Sequence, residues 1–429
     1  MKKIIIFLLG MAIAAPTVFA ATWYVSTNGN DFSSGTTWGS AKQTIQGALT
    51  YATDGDTVLV TNGTYVLTYQ ITVDKDVTVK SVNGASVTIV NGNYPVTAIP
   101  CFEVRYPGAA NAIIDGFTIT GGYSGSGGGI FNNGTVQNCI ISGNITGANA
   151  GGGIYNTING TMQNCIISGN TAYQFAGGVF NGGTMRNCTI CGNSAYLYGG
   201  GVFNDGGTVQ NCIVYYNENG DLAGDAPQYS CAPGLSGNGN ISSDPQFIDP
   251  ANGNCRLKCS SPCVNAGINK SWMAGAVDLD GNPRISYGRV DMGAYEFAIK
   301  NSTNICPVIK ANGQTNIVTV DHSTNLTITV QIDPGQYQGA PVNWWVVALA
   351  GSSWYYLDSA AGWTQFDGNL SNCHPAYEGA LFNLPETEAL NMILPVGSYT
   401  FWFAVNYPMN GILNISEPIL VSAVNVTIH

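Results

Sequence analysis

Charged residues gather in one stretch of this 429-residue chain: Asp74, Lys75, Asp76, Lys80, Glu103, Arg105 and Asp115. Elimination chemistry on an acidic polysaccharide needs a cation to neutralise the uronate carboxylate and a Lys or Arg to remove the neighbouring proton. Hydrolysis of a glycosidic bond needs two carboxyl groups flanking it. Lys80, Arg105 and Asp115 are the candidate catalytic residues if the fold sets them on one face; otherwise they are solvated turn charges. Asp278-Leu-Asp-Gly-Asn282 begins like a calcium loop, with Asp278 and Asp280 as candidate ligands. The EF-hand pattern wants Gly at its sixth position and Glu at its twelfth, where this chain has Pro283 and Arg289. Arg284 and Arg289 supply local counter-ions for Asp278, Asp291 or Glu296. The expectation is no cofactor and no resident metal, with Ca2+ at Asp278 and Asp280 as the alternative. Cys373 beside His374 has no orienting group near it in sequence and does not read as a nucleophile pair.

Aromatic residues carry a stronger pattern. Phe131, Tyr155, Phe180 and Phe203 recur in one register, each preceded by Ile130, Ile154, Val179 or Val202. Adjacent strand residues face opposite sides, so the aliphatic series is expected inside and the aromatic series outside. Tyr173, Phe175, Tyr196 and Tyr198 join it in the variable arcs. Ring faces on a flat sheet can stack sugars, and a surface rich in Asn, Gln and Thr can hydrogen-bond their hydroxyls. These eight residues are the candidate ligand-binding set, for a polysaccharide or cell-surface glycan. The competing role is stabilisation of the stack by cross-strand aromatic pairs.

That register comes from an explicit repeat. Gly127-Gly-Gly-Ile-Phe-Asn132 followed by Thr135-Val-Gln-Asn-Cys-Ile-Ile-Ser-Gly-Asn144 returns at Gly151 to Asn170, at Gly177 to Asn193 and at Gly199 to Asn217. Each copy holds short β-type runs punctuated by Gly and Asn, too short for helices. A unit of about 24 residues cannot bury its own apolar side, so copies must stack. The fold class expected is all-β, a right-handed parallel β-helix followed by an Ig-like β-sandwich. Stacking makes three Asn ladders, starting at Asn132, Asn138 and Asn144, and the first is expected at a turn with left-handed backbone. Cys139, Cys165, Cys188 and Cys212 recur inside the phrase as compact fillers, whereas Cys231, Cys255, Cys259 and Cys263 cluster irregularly as disulfide candidates.

The divisions expected are a signal peptide at 1–20, an N-terminal strand and capping helix at 21–54, the β-helix at 55–245, its closing segment at 246–300 and the sandwich at 301–429. Lys2 and Lys3 before the apolar run Ile4 to Ala15, with Val18-Phe-Ala20 as a cleavage point, mark the first. Ile45, Ala48, Leu49 and Ala52 share one helical face in the second. The last holds five of the eight Trp and alternating runs such as Leu326 to Val330. Only 9% of residues are charged, 55 are Gly and the net charge is −11, which argues against a helical enzyme and against nucleic-acid binding. No later run is long enough to span a membrane, so the expected location is secreted, periplasmic or at the cell surface.

Trp23-Tyr-Val-Ser-Thr-Asn-Gly-Asn-Asp31, Thr44-Ile-Gln-Gly-Ala-Leu49, Gly55-Asp-Thr-Val-Leu-Val60 and Gly63-Thr-Tyr65 resemble the opening of secreted bacterial β-helix proteins of the pectate-lyase-like superfamily. Asp244-Pro-Gln-Phe247, Ser261-Pro-Cys-Val-Asn-Ala-Gly267, Asp278-Leu-Asp-Gly-Asn-Pro-Arg284 and Asp291-Met-Gly-Ala-Tyr-Glu296 resemble the closing segment of the choice-of-anchor Q group. The resemblance covers roughly residues 22 to 297 and implies the fold. It does not imply one activity, since lyases, hydrolases, epimerases and non-catalytic surface proteins share that superfamily. Residues and resemblance together give an exported, non-catalytic or weakly specialised surface protein presenting a flat, low-charge face to carbohydrate or another cell-surface polymer. The alternatives are a lyase or hydrolase acting on an acidic glycan, and a purely structural or adhesive protein.

Overall fold

The computed structural model describes residues 20–259, 261–285, 289–297, 305–334, 337–369, 372–406 and 419–429. The signal peptide expected at 1–20 lies outside them apart from its last residue, Ala20. Nearly all of the chain is β, and its first part is a parallel β-solenoid of about six turns. Three sheets of eight, seven and seven strands run the length of the stack, with a four-stranded strip along one corner. One coil shows the path. Ile130–Asn132 lies in one sheet, Thr135–Gln137 in the next, Ile140–Ser142 in the third and Ile145–Thr146 in the corner strip. Each pairs residue for residue with the next coil, at Ile154–Asn156, Thr161–Gln163, Ile166–Ser168 and Thr171–Ala172. These are called below the aromatic, threonine and covered sheets.

In the repeat coils one apolar residue per strand points inward. Ile130, Val136 and Ile141 are fully buried, as are Ile154, Met162 and Ile167 one coil on. A single continuous core runs from Val25 to Ala232. Glycine permits the tight stacking at the corner: a Cβ on Gly152 would collide with the carbonyl oxygens of Gly177 and Thr171. At the N-terminal end Thr22–Val25 pairs with Thr57–Val60, and the short helix Ile45–Leu49 lays Ile45, Ala48 and Leu49 on the core. Thr44 caps that helix, its hydroxyl accepting from the Gly47 N–H at 2.9 Å.

The Asn ladders differ from the sequence expectation in one respect. Left-handed backbone belongs to the second ladder, where Asn138, Asn164, Asn187 and Asn211 have φ between 49° and 54°. Asn132 and Asn144, which begin the other two, have no positive φ and are fully buried. In the first ladder each side-chain N–H2 donates to the next coil's amide oxygen, from Asn132 to Asn156 to Asn181 to Asn204, at 2.8 Å each time. In the third the relay runs Asn144, Asn170, Asn193 and Asn217 at 2.9 to 3.0 Å and ends on the Asp221 carboxylate. Asn suits these places because its amide carries an N–H2 that donates and an oxygen that accepts, so identical residues can satisfy each other inside a dry core.

Cys139, Cys165, Cys188 and Cys212 form a buried column. Each thiol donates to the carbonyl two residues earlier in its own chain, at 3.1 to 3.3 Å. Burial pushes the Cys165 and Cys212 thiols up, away from the reactive thiolate. A maleimide offered to the native protein is expected to leave all four unlabelled over hours and to label them once guanidinium unfolds the chain. Rapid labelling of the native protein would contradict this packing.

The C-terminal part is built from antiparallel sheets compatible with a β-sandwich. A three-stranded sheet holds Cys306–Ala311, Leu326–Asp333 and Leu384–Met392. A seven-stranded sheet is centred on Pro341–Ala350, Gly397–Asn406 and Ile419–Ile428. Ile309, Ile328 and Ile332 from the first meet Val346, Phe401, Phe403 and Val424 from the second in one core. No helix among the described residues is long and apolar enough to cross a membrane.

Candidate functional site: an aromatic strip on an open sheet

The aliphatic and aromatic registers separate as their alternation requires. Ile130, Ile154, Val179 and Val202 have no exposure, whereas Phe131, Tyr155, Phe180 and Phe203 are half-buried on the outside of the same strands. The outer rings stack at 5.2, 4.5 and 5.7 Å between centroids, with interplanar angles of 5°, 9° and 23°. Phe175 and Tyr198 stack at 5.5 Å and both lean on Phe203. Tyr173 and Tyr196 stack at 5.9 Å and stand well clear of the surface, 62% and 74% exposed. The eight candidate residues therefore form one connected stack of six rings and a separate pair, Tyr173 with Tyr196.

Their geometry changes what the strip can do. Parallel rings in successive coils turn their faces towards each other, so Tyr155 and Phe180 offer a ligand mainly their edges. A sugar that packs on a ring face needs an uncovered one; Tyr173 and Tyr196 stack on each other at 8° as well, and it is their exposure that makes them the most accessible of the eight rings. Among the described residues, the hydroxyls of Tyr155, Tyr173, Tyr196 and Tyr198 show no hydrogen bond to protein groups, which leaves them available to ligand hydroxyls.

Sequence reasoning missed the N-terminal end of the strip. Glu103 occupies the register position below Phe131, with Thr72 below it. The Glu103 carboxylate accepts from Gln70 Nε2 at 2.5 Å and pairs with Arg105 at 2.9 Å. Tyr94 stacks on Tyr123 at 4.6 Å. The signal was weak because this coil carries Phe102-Glu103 where the later ones carry Ile or Val followed by Phe or Tyr, and no repeat-based alignment brings Tyr94 to Tyr123.

The three candidate catalytic residues do not share a sheet. Lys80 and Asp115 are register partners on the threonine sheet, 3.6 Å apart, and Asp115 also accepts from Asn138 Nδ2 at 2.7 Å. Arg105 follows the aromatic-sheet strand Phe102–Val104 and is engaged by Glu103. Each charge has a partner of its own. Outward side chains of the threonine sheet continue as Gln137, Gln163 and Arg186, linked at 2.7 and 3.0 Å, and the Arg186 guanidinium lies 4.6 Å above the Trp272 ring.

The candidate metal ligands are also occupied. Asp278 accepts from the backbone N–H of Asp280, Asn282 and Glu296, at 2.9, 2.8 and 2.7 Å. Asp280 is held bidentately by Arg256, at 2.6 Å to each oxygen. No group of three or more His, Cys, Asp or Glu side chains placed to hold a metal occurs among the described residues. These carboxylates build the closing segment, which lies along the covered sheet. Asn164 and Asn187 donate to the Val277 and Asp291 carbonyls, and the Ala294 N–H donates to Thr189 Oγ1 at 3.0 Å. Arg284 and Glu296 form a fully buried ion pair at 3.1 Å.

In the C-terminal part Cys373 is buried, its carbonyl accepting from Trp345 Nε1 at 3.1 Å, and burial pushes its thiol up to about 12. Exposed His374 faces Asp358 at 4.0 Å. Comparison with protein-family models, with curated proteins and with solved structures gave no match.

Proposed function

We propose that this is an exported β-helix protein of the pectate-lyase-like superfamily, closed by a choice-of-anchor Q segment and extended by an Ig-like module, whose aromatic strip binds a neutral polysaccharide. The observation that carries the reading is the connected stack of six rings, Phe131, Tyr155, Phe180, Phe203, Phe175 and Tyr198, together with the separate exposed pair Tyr173 and Tyr196, with free phenol hydroxyls and no charge among the rings. Strand stacking at about 4.8 Å gives such a strip a regular pitch along the solenoid axis, suited to an extended polymer. Catalysis on an acidic glycan draws less support, because Lys80, Arg105 and Asp115 lie on two sheets and are paired. The third reading, a purely structural or adhesive surface, is favoured by the mutual covering of the ladder rings and is the outcome that the test must separate.

A glycan array probed with the secreted protein, run beside an absorbance assay for unsaturated uronates, is expected to show binding to neutral polymers and no product. Stacking and neutral hydrogen bonds are little screened, so binding should persist in molar salt. Replacing Tyr173 and Tyr196 by Ala should weaken it by about 1 to 3 kcal/mol. Replacing Tyr155 and Phe180 by Ala should instead lower the unfolding midpoint, with a smaller loss of affinity per folded molecule. Unchanged affinity in both variants would leave the strip a structural ladder only.

A further inference from the structure

The closing segment meets the solenoid through sulfur as well as through hydrogen bonds. Cys191 ends the covered-sheet strand Thr189–Cys191, in register with Ser168, and Ser142 holds the same place one coil earlier. That place points out of the solenoid, and in this coil alone of the three it is a Cys. Opposite it lies Cys255, in the strand Asn254–Leu257, with the two sulfurs 2.7 Å apart and buried. Ordinary van der Waals contact between heavy atoms is roughly 3.5 to 4.0 Å and a disulfide bond about 2.05 Å, so the two sulfurs stand closer than packing brings unbonded atoms and a small shift from bonding distance. A second pair lies in the same region. Cys231, bridged to Ile213 at the end of the stack and donating its thiol to the Ser243 carbonyl at 3.2 Å, shares a buried cluster with Cys263 of the closing segment. All four sulfurs share one buried cluster with Phe247, Leu257 and Met292.

We infer that Cys191 bonds to Cys255 and Cys231 to Cys263, two disulfides that staple the closing segment over the last coils of the solenoid. The cysteines of the repeat column behave differently. Their side chains are parallel neighbours inside the stack, which disfavours the disulfide torsion. The two staples join residues 64 and 32 positions apart, so they tie down a segment that has left the repeat and carries little regular structure of its own.

Each bond forms by exchange with a disulfide oxidant, whether a small molecule such as oxidised glutathione or a protein disulfide. One cysteine thiolate attacks the oxidant's S–S bond and releases a thiol. The second thiolate then displaces the other half. One S–S bond forms in the protein and one breaks in the oxidant, which takes up two electrons and two protons. Because all four sulfurs are buried once the segment is seated, exchange takes place before seating or through local opening.

The test uses the full chain, produced by export into an oxidising compartment and separately refolded in a glutathione redox buffer. Each sample is unfolded in guanidinium with N-ethylmaleimide and no reductant, digested, and mapped by mass spectrometry. The result expected is maleimide on Cys139, Cys165, Cys188 and Cys212, with the Cys191 peptide joined to that of Cys255 and the Cys231 peptide joined to that of Cys263. Maleimide on either member of a pair, or another pairing such as Cys255 with Cys259, overturns the assignment of that pair. Cys191→Ser should free Cys255 for labelling and leave the other bond intact. If that variant does not accumulate, Cys255→Ser gives the same readout on Cys191.

Discussion

Replacing Asn170 by Asp is expected to lower the unfolding free energy by at least about 3 kcal/mol at neutral pH. Asn170 is fully buried and its amide is saturated. Its N–H2 donates to the Ile141 carbonyl at 2.9 Å, the Ser168 carbonyl at 3.2 Å and Asn193 Oδ1 at 2.9 Å. Its oxygen accepts from the backbone N–H and the side-chain N–H2 of Asn144, both at 3.0 Å. Asp has almost the same volume, so no cavity opens and the accepting side survives. The donating side does not: the Ile141 and Ser168 carbonyls and Asn193 Oδ1 lose the side-chain donor and face another oxygen, at about 1 to 3 kcal/mol each, with Asn193 Oδ1 at the low end because it keeps the Asn170 backbone N–H. Burial raises the new carboxyl's folded-state pKa above its unfolded value. The deficit is therefore largest above the folded pKa and shrinks as pH falls towards the unfolded pKa of about 3.9, where a proton restores one donor. Chemical denaturation at pH 4 and pH 8 measures both quantities. Asn159→Asp, at an exposed loop position, should change stability by no more than about 0.5 kcal/mol. A deficit that did not vary with pH would show that the relay is not what is being broken.

The same relay shows why the solenoid was legible in sequence. Every coil sets the same residue type at the same place, so one phrase repeated four times fixes which residues stack, and alternation fixes which series faces inward. Ile130 and Phe131 separated as that rule requires. What the phrase does not encode is the surroundings of each register position. Asn132 and Asn138 look alike in sequence, yet one is a buried strand residue and the other a left-handed turn residue, because only the second sits at the bend between two sheets. Face-to-face stacking of the rings is likewise a matter of side-chain torsion. The closing segment was harder still. It touches coils more than a hundred residues away, as in the 105-residue separation of Ala294 and Thr189, and no periodicity announces such pairs. Cys191 did carry a readable signal, a Cys where sister coils have Ser, but its partner lies outside the repeat.

Arg284→Met should be the most damaging single change in the closing segment, at about 3 to 5 kcal/mol near neutral pH. The guanidinium is wholly buried and donates to the Ala294 and Gly293 carbonyls at 3.2 and 3.0 Å while pairing with Glu296 at 3.1 Å. Asp278, Asp291 and Glu296 are all buried around it. Met approximates the length of the side chain, so the loss is chiefly of charge and donors, which leaves the acids without their cation. Burial already pushes Asp291 up to about 7 and raises Glu296, while Arg284 opposes both shifts. A carboxyl with a raised folded-state pKa stabilises the fold most below its unfolded pKa of about 4, and that stabilisation is lost as pH rises through the folded value. The parent protein should thus lose stability between about pH 4 and pH 7. Without Arg284 the folded-state values rise further and the loss extends above pH 7, so the gap between variant and parent should be smallest at pH 4 and widest at pH 8. Unfolding midpoints at both values, with hydrogen exchange at the amides of residues 289–297, measure that gap and locate it. An equal gap at the two pH values would mean that lost packing and unpaired carbonyls, rather than the stranded acids, account for the damage.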